Sequence, residues 1–301
     1  MIVNYFSRIM DNIKQILPHD NDFLQRTTVI DKPAKKLWYI GSIPPLTPTV
    51  AVVGSRKPTS YGRAVNARIT GELARHGVVI VSGLAIGHDG LAHRACLDAG
   101  GTTVAVLGNG LAHIYPQTNR TLAQRIVQAG GALISEYPPE APVLPHQFLE
   151  RNRLISALAD VVVVIEAGER SGTLNTASHA LTQGKEVMAV PGNITSPLST
   201  GCNRLIAQGA GPVLTAQDIL DRLPLAKTED RPDHQAERAD QVRFDSPDSQ
   251  TIYDLIVQGE SDGDRLLSKS GLSTSQFSLA LTMLELNGYI IALGNNTWGR
   301  R

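Results

Sequence analysis

The stretch Val50-Ala51-Val52-Val53-Gly54-Ser55-Arg56-Lys57-Pro58-Thr59-Ser60-Tyr61-Gly62 decides the fold. Its first four residues are an unbroken apolar run, which predicts a parallel strand covered on both faces. Gly54-Ser55 predicts a sharp turn, and Arg56-Lys57 then stand where a helix is about to begin. A helix start offers unpaired backbone N–H groups and the positive end of a dipole, so it can receive an anion. Two cations beside it point to phosphate.

The same alternation continues outward from this stretch. Strands are expected at Val50–Val53, Val78–Val81, Thr103–Leu107, Ala132–Ser135, Val161–Ile165 and Val187–Val190, with a weaker one at Pro212–Leu214. Helical patterns fall between them at Arg63–His76, Gly90–Ala99, Thr118–Ala129, Phe148–Ala159 and Leu174–Gln183. Repeated βα units with right-handed crossovers predict an α/β fold built on a doubly wound parallel sheet. The strands end in Gly54-Ser55, Ser82-Gly83, Gly108-Asn109-Gly110, Ser135-Glu136 and Pro191-Gly192-Asn193. A tight turn explains any one of these clusters. Their recurrence along the carboxyl edge, where such sheets bind ligands, marks a site.

With 301 residues, 42% hydrophobic and 19% charged, the chain can bury a large core and carry more than one domain. Its net charge is zero, but the balance is uneven: residues 1–223 hold 20 Lys and Arg against 16 Asp and Glu, leaving 8 against 12 for the rest. An electrostatic partner must therefore be read from local clusters. Cys96 and Cys202 are far apart and lack metal-ligand spacing, which suggests packing residues in a reducing cytoplasm. Ile2, Phe6, Ile9, Ile13 and Ile16 fall at helical spacing, so residues 1–45 are expected to be a helical extension opening with a short amphipathic helix that ends at Pro18. Arg8, Asp11 and Lys14 interrupt any export signal, and no run reaches the apolar length of a membrane span.

Residues 46–223 would then form the Rossmann-like domain. Residues 224–248 are charged, proline-bearing and nearly free of aliphatics, as in a flexible linker. Residues 249–301 read as three short helices and a hairpin, a winged-helix-like module, with Ser273-x-x-Gln276 as a capping box. Its expected recognition helix, Ser273 to Asn287, has no Lys or Arg, whereas duplex readers present such donors to base edges. A protein-contact or regulatory role fits it better.

The first turn departs from a dinucleotide fingerprint. Gly54 is followed by Ser55-Arg56-Lys57-Pro58, and the second strand ends in Ser82-Gly83 without a carboxylate for a ribose, so no nicotinamide cofactor is expected. Arg56 suits a phosphodiester, which its planar fork can grip. Asp89 and His93 share a helical face and are expected to pair, with Asp89 capping the helix start and His93 packing and bonding locally. His88 and His93 lie roughly 140° apart around a helix and do not converge on a metal. Arg151-Asn152-Arg153 opens another helix on the ligand edge and fits either phosphate contacts or a solvated turn. Ser171-Gly172-Thr173 lets a backbone or phosphate approach closely.

Taken in order, VGSRKPTSYG, SGLAIGHDGLAH, TVAVLGNGLAHIYPQTN, SEYPP, RNRLI, VIEAGERSGTLNTA, VPGN and GCNRLIAQGA closely resemble the DNA-processing protein A family, also called Smf. The resemblance spans Tyr39–Leu223 and implies an extended Rossmann fold. It further implies a homodimer that binds single-stranded DNA, protects incoming strands in natural transformation and loads the RecA recombinase, with no catalytic residue, cofactor or metal. Carried over by motif, Gly54, Ser55 and Arg56, flanked by Lys57 and by Ser82-Gly83, would contact the strand, and Arg151, Asn152, Arg153, Ser171, Gly172 and Thr173 would line the same pocket. His88 stands where the family usually has an apolar residue. Aromatic residues are 5% of the chain, and Tyr61, Tyr115 and Tyr137 are the candidates for stacking on bases.

Two alternatives stay open. One is a nucleotide phosphoribohydrolase on a related core, for which Glu136 or Glu166 would serve as acid or base, although Thr176 stands where that family's motif has its glutamate. The other is a nucleotide-sensing module.

Overall fold

The computed structural model describes residues 12–224, 244, 246–294 and 296–300. The chain divides into two compact units, Met1–Ala226 and Lys227–Arg301.

The first unit is built on a nine-stranded sheet. Its strands are β1 (Lys14–Ile16), β2 (Leu37–Gly41), β3 (Thr49–Val53), β4 (Val79–Ser82), β5 (Thr103–Leu107), β6 (Ala132–Ser135), β7 (Val161–Val164), β8 (Glu186–Ala189) and β9 (Gly211–Pro212). Their spatial order is β1-β2-β6-β5-β4-β3-β7-β8-β9. The seven strands from β6 to β9 run parallel, and β2 and β1 add an antiparallel edge beside β6. The valine runs form this sheet because both its faces are covered. Along β3, Ala51 and Val53 join one buried cluster and Val50 and Val52 another, as the two-residue period of a strand requires.

Helices α1 (Asp22–Gln25), α2 (Ser60–Arg75), α3 (His88–Asp98), α4 (Arg120–Gln128), α5 (Pro145–Leu158), α6 (Thr173–Thr182), α7 (Thr200–Ala207) and α8 (Ala216–Leu220) complete the unit. Leu154, Ile155 and Leu158 of α5 and Ala177 and Ala180 of α6 seal one face. Ile69 and Leu73 of α2 and Ala92 and Cys96 of α3 seal part of the other. Each fully buried Leu or Ile among them contributes roughly 1.5–3 kcal/mol, so the two faces together dominate the stability.

Two sequence expectations need correction. Lys14–Ile16 is a strand paired with Leu37–Tyr39, not the end of an amphipathic helix. Residues 1–11, where that helix was expected to begin, lie outside the described residues. Residues 14–41 are also no helical extension set apart from the sheet, since Leu37–Gly41 pairs with β6 over four residues. Local 3.6-residue spacing lost to edge pairing, which satisfies backbone groups that a short helix leaves open. The sequence reading also did not name α7 and α8, and the weak last strand shrinks to Gly211–Pro212. Most of the expected linker, 225–243, lies outside the described residues.

The second unit contains α9 (Pro247–Val257), α10 (Gly263–Ser270), α11 (Thr274–Leu286) and a hairpin of β10 (Ile290–Gly294) and β11 (Thr297–Arg300). Its core is Ile252, Tyr253, Ile256, Leu266, Phe277, Leu281, Leu284 and Ile290. Ser273 and Gln276 form the capping box at the start of α11, with the Gln276 N–H donating to Ser273 Oγ at 3.4 Å. This is a winged-helix arrangement, and no helix among the described residues is long and apolar enough to cross a membrane.

Candidate functional site

The chain passes outward through β3, β4, β5 and β6, then returns through α5 to β7 on the other side of β3. That reversal leaves a crevice between the carboxyl ends of β3 and β7. A cleft of about 500 Å³ lies there, lined by Gly54, Ser55, Arg56, Lys57, Arg151, Asn152, Ser171, Gly172 and Thr173. Three segments far apart in sequence thus meet at one place. Helix α5 packs across β3, β4 and β5, and its middle turns bring Arg151 and Asn152 to the cleft.

Ser82, Gly83 and Arg153 are not among the lining residues. The Ser82 hydroxyl is fully buried and donates to Val52 O at 2.7 Å. Arg153 donates to Glu136 at 2.5 Å and to Lys32 O at 2.9 Å, in a neighbouring depression. Two positions on a helix are roughly 200° apart, so Arg151 and Arg153 cannot face the same cleft. Gly83 acts from behind: a Cβ there would lie 2.6 Å from both Arg151 Nη2 and Asp89 Oδ2, so only glycine leaves room for that pair.

The cations of the cleft are of two kinds. Arg56 and Lys57 are exposed and have no ion pair among the described residues. Arg151 is 4% exposed and donates through Nη1 to Gly83 O at 2.8 Å and to Val106 O. Burial, opposed by Asp89 and aided by the Arg56 charge, draws its pKa down to about 10, so it stays charged at neutral pH. Asp89 accepts the Gly83 N–H at 3.1 Å, and burial raises its pKa against the pull of Arg151. On the far wall Ser171 Oγ accepts the Thr173 N–H at 3.2 Å, and Gly172 opens α6 toward the cleft.

The helix start after β3 is not the anion site that the sequence suggested. Helix α2 begins only at Ser60, capped by Thr59. The Glu166 carboxylate accepts the Thr59 N–H at 2.9 Å and the Thr59 hydroxyl at 2.5 Å, so a carboxylate of the protein already serves that end of α2. Glu166 also accepts from His88 Nε2 at 3.0 Å. Burial raises the Glu166 pKa, but the bonds from Thr59 and His88 outweigh it and leave it below the ordinary value. Glu166 is 3% exposed and is a brace rather than an acid or base facing the cleft. The groups left facing the cleft are Arg56, Lys57, Arg151 and the α6 end.

Sequence reasoning missed Phe148, Leu149 and Leu198, which give the cleft apolar walls. Phe148 lies three and four positions before Arg151 and Asn152, so the helical period could have shown it sharing their face. Tyr115, 46% exposed, packs against Phe148 with ring centroids 5.6 Å apart. Tyr61 and Tyr137 do not line the cleft, and their hydroxyls donate to Pro191 O and Glu150.

The expected Asp89–His93 pair does not form. His93 Nδ1 bonds instead to Thr103 Oγ1 at 2.7 Å, and His88 faces Glu166, so the histidines diverge. No cluster of His, Cys, Asp and Glu among the described residues could hold a metal. Burial pushes Cys96 and Cys202 up to about 12, which suits packing rather than reactivity. Burial drives His93 down to about 3. The unfolded chain takes up that proton near pH 6.5 and the folded chain does not, so stability is full above pH 6.5 and falls below it. Urea unfolding at pH 5.5 should give a stability about 1.4 kcal/mol lower than at pH 7.5 from His93 alone. Equal stabilities would contradict a neutral buried His93.

Comparison with known proteins adds an independent line. The family described as DNA recombination-mediator protein A matches residues 14–224, and the DprA winged helix domain matches residues 232–296. Protein Smf of Escherichia coli is 40% identical over 251 residues, 81% of this chain and 66% of that protein. DNA processing protein DprA of Bacillus subtilis is 45% identical over 175 residues, 58% of this chain and 59% of that one. The chain thus spans about two thirds or less of the length of these relatives. The X-ray structure of DNA processing protein A from Streptococcus pneumoniae matches with a TM-score of 0.64 at 36% identity, covering 73% of this chain and 77% of that one. DNA processing protein A from Helicobacter pylori, whose structure reports a single-stranded DNA binding mode, matches with a TM-score of 0.61 at 31% identity, covering 70% and 94%.

Proposed function

Because the chain belongs to the DNA recombination-mediator protein A family, we propose that its cleft grips the sugar-phosphate backbone of single-stranded DNA. The observation that carries this reading is the convergence of Arg56, Lys57, Arg151, Asn152 and Ser171–Thr173 on one crevice. Exposed, unpaired cations supply the attraction, and the small residues at the α6 end let a phosphate come close. Phe148 and Leu149 supply apolar surface for a base, which a duplex would keep stacked inside.

The protein would protect incoming strands in natural transformation and recombination and pass them to the RecA recombinase. It would act as a homodimer, and two clefts on one strand would add avidity through effective concentration. Family membership supports these roles. A nucleotide-sensing role would bind free nucleotides and spare oligonucleotides, and a phosphoribohydrolase would release base from a nucleoside monophosphate. Parallel titration of labelled oligothymidylate, duplex and free nucleotides across a salt series tests the reading. Tight, salt-dependent binding of the single strand supports it, and binding of free nucleotide alone would overturn it.

The winged-helix unit should contribute little to this grip. The exposed surface of α11 carries Leu279, Met283 and Leu286, at 66%, 47% and 77% exposure, and no cation. A chain ending at residue 224 retains every residue of the cleft and the buried clusters of the first unit. Its affinity for oligothymidylate should stay within about twofold of the full chain, since so few phosphate contacts are lost. A drop of tenfold or more, measured by fluorescence anisotropy, would assign strand contacts to the second unit.

A further inference from the structure

We propose that His88, through Glu166, is a positioning residue for the cleft: the buried pair pins both ends of the loop that presents Arg56 and Lys57. This inference rests on the reading of the cleft as the strand-binding site and adds a part that reading does not contain.

The loop leaves β3 at Gly54 and enters α2 at Thr59. At its first end, the His88 backbone N–H donates to Ser55 O at 3.2 Å. The imidazole packs against Gly54, where a Cβ would come 2.6 Å from His88 Cδ2. At its last end, Glu166 holds both the N–H and the hydroxyl of Thr59. His88 Nε2 and Glu166 Oε2, 3.0 Å apart, join these two anchor points. Arg56 and Lys57 lie between them and make no ion pair among the described residues.

The protonation pattern is fixed by neighbours. Asn66 Nδ2 donates to His88 O at 3.1 Å, which orients its amide so that the same nitrogen faces His88 Nδ1 at 3.0 Å. Nδ1 is thus an acceptor, and Nε2 carries the proton given to Glu166. Thr70 Oγ1 donates to Asn66 Oδ1 at 3.1 Å and closes the chain of bonds inside α2. His88 is fully buried and Glu166 is 3% exposed, so water cannot substitute for the missing partner if one is removed. Two exposed, flexible cations on a pinned loop lose less freedom on binding than they would on a loose one.

The test is a double-mutant cycle on the full chain, read as oligothymidylate affinity at a temperature where circular dichroism shows every variant folded. His88→Leu should weaken binding about fivefold in the wild-type background and less than about twofold when Arg56→Ala is already present, because residues coupled through a shared backbone shift are not additive. His88→Gln, which keeps a donor toward Glu166, should recover most of the loss. Should His88→Leu fail to fold, Glu166→Gln removes the charge at the same junction with smaller damage and should show the same coupling to Arg56. Equal losses in both backgrounds, or no loss from a folded His88→Leu, would overturn the clamp while Arg56→Ala still weakened binding. An Arg56→Ala variant with unchanged affinity would instead remove the strand-binding reading itself, and the clamp with it.

Discussion

Arg56→Ala should lower the affinity for a short oligothymidylate by about tenfold, the value of one charge-assisted contact, and Arg56→Glu by about 100-fold, because repulsion of the phosphate adds to the lost contact, with unfolding midpoints unchanged in both. The side chain is exposed and makes no ion pair among the described residues, so its removal leaves no buried group unsatisfied. Its folded-state role is therefore small, and its removal should register in binding rather than in stability. The loss should also carry a signature. Removing one phosphate contact to a single strand flattens the slope of log affinity against log salt by about 0.7. A weaker isotherm with an unaltered slope would mean that Arg56 shapes the cleft without touching phosphate.

Arg151→Ala behaves differently, although it lines the same cleft. This guanidinium is 4% exposed and bonds the carbonyls of Gly83 and Val106, at the ends of β4 and β5. Its removal takes a donor from two buried carbonyls and leaves Asp89 without the Arg151 charge that offsets its burial. The expected cost is about 3–5 kcal/mol of folding stability, a large part of the total for an ordinary domain. Arg151→Lys should recover little, because a point charge on a flexible stem cannot serve two carbonyls in a fixed fork. Binding by either variant should be lost with unfolding, and thermal melts without DNA separate the two arginines. A stable Arg151→Ala that binds weakly would recast Arg151 as a direct phosphate ligand like Arg56.

The contrast between these arginines marks where the sequence stops being readable. The parallel sheet was legible because Val50–Val53 and Val161–Val164 are apolar throughout, and only a strand covered on both faces requires that. The strand Leu37–Gly41 was not, since its buried and half-buried residues do not alternate and its partner β6 lies far along the chain. The site was readable as clusters on one edge, and Gly54–Lys57, Arg151-Asn152 and Ser171–Thr173 do converge. Burial is what the spacing concealed. Nothing local shows that Arg151 spends its donors on carbonyls, or that a carboxylate 107 positions away reaches Thr59. Arg153 is the instructive failure: helical geometry alone turns it away from its neighbour, whatever the motif suggests.

The most direct measurement is a crystal structure of the full chain with a short oligothymidylate. A phosphate within hydrogen-bond reach of Arg56 and of the Ser171–Thr173 backbone, with a base against Phe148, is the predicted result. A strand lodged on the winged-helix unit, or anywhere away from the crevice between β3 and β7, would contradict it.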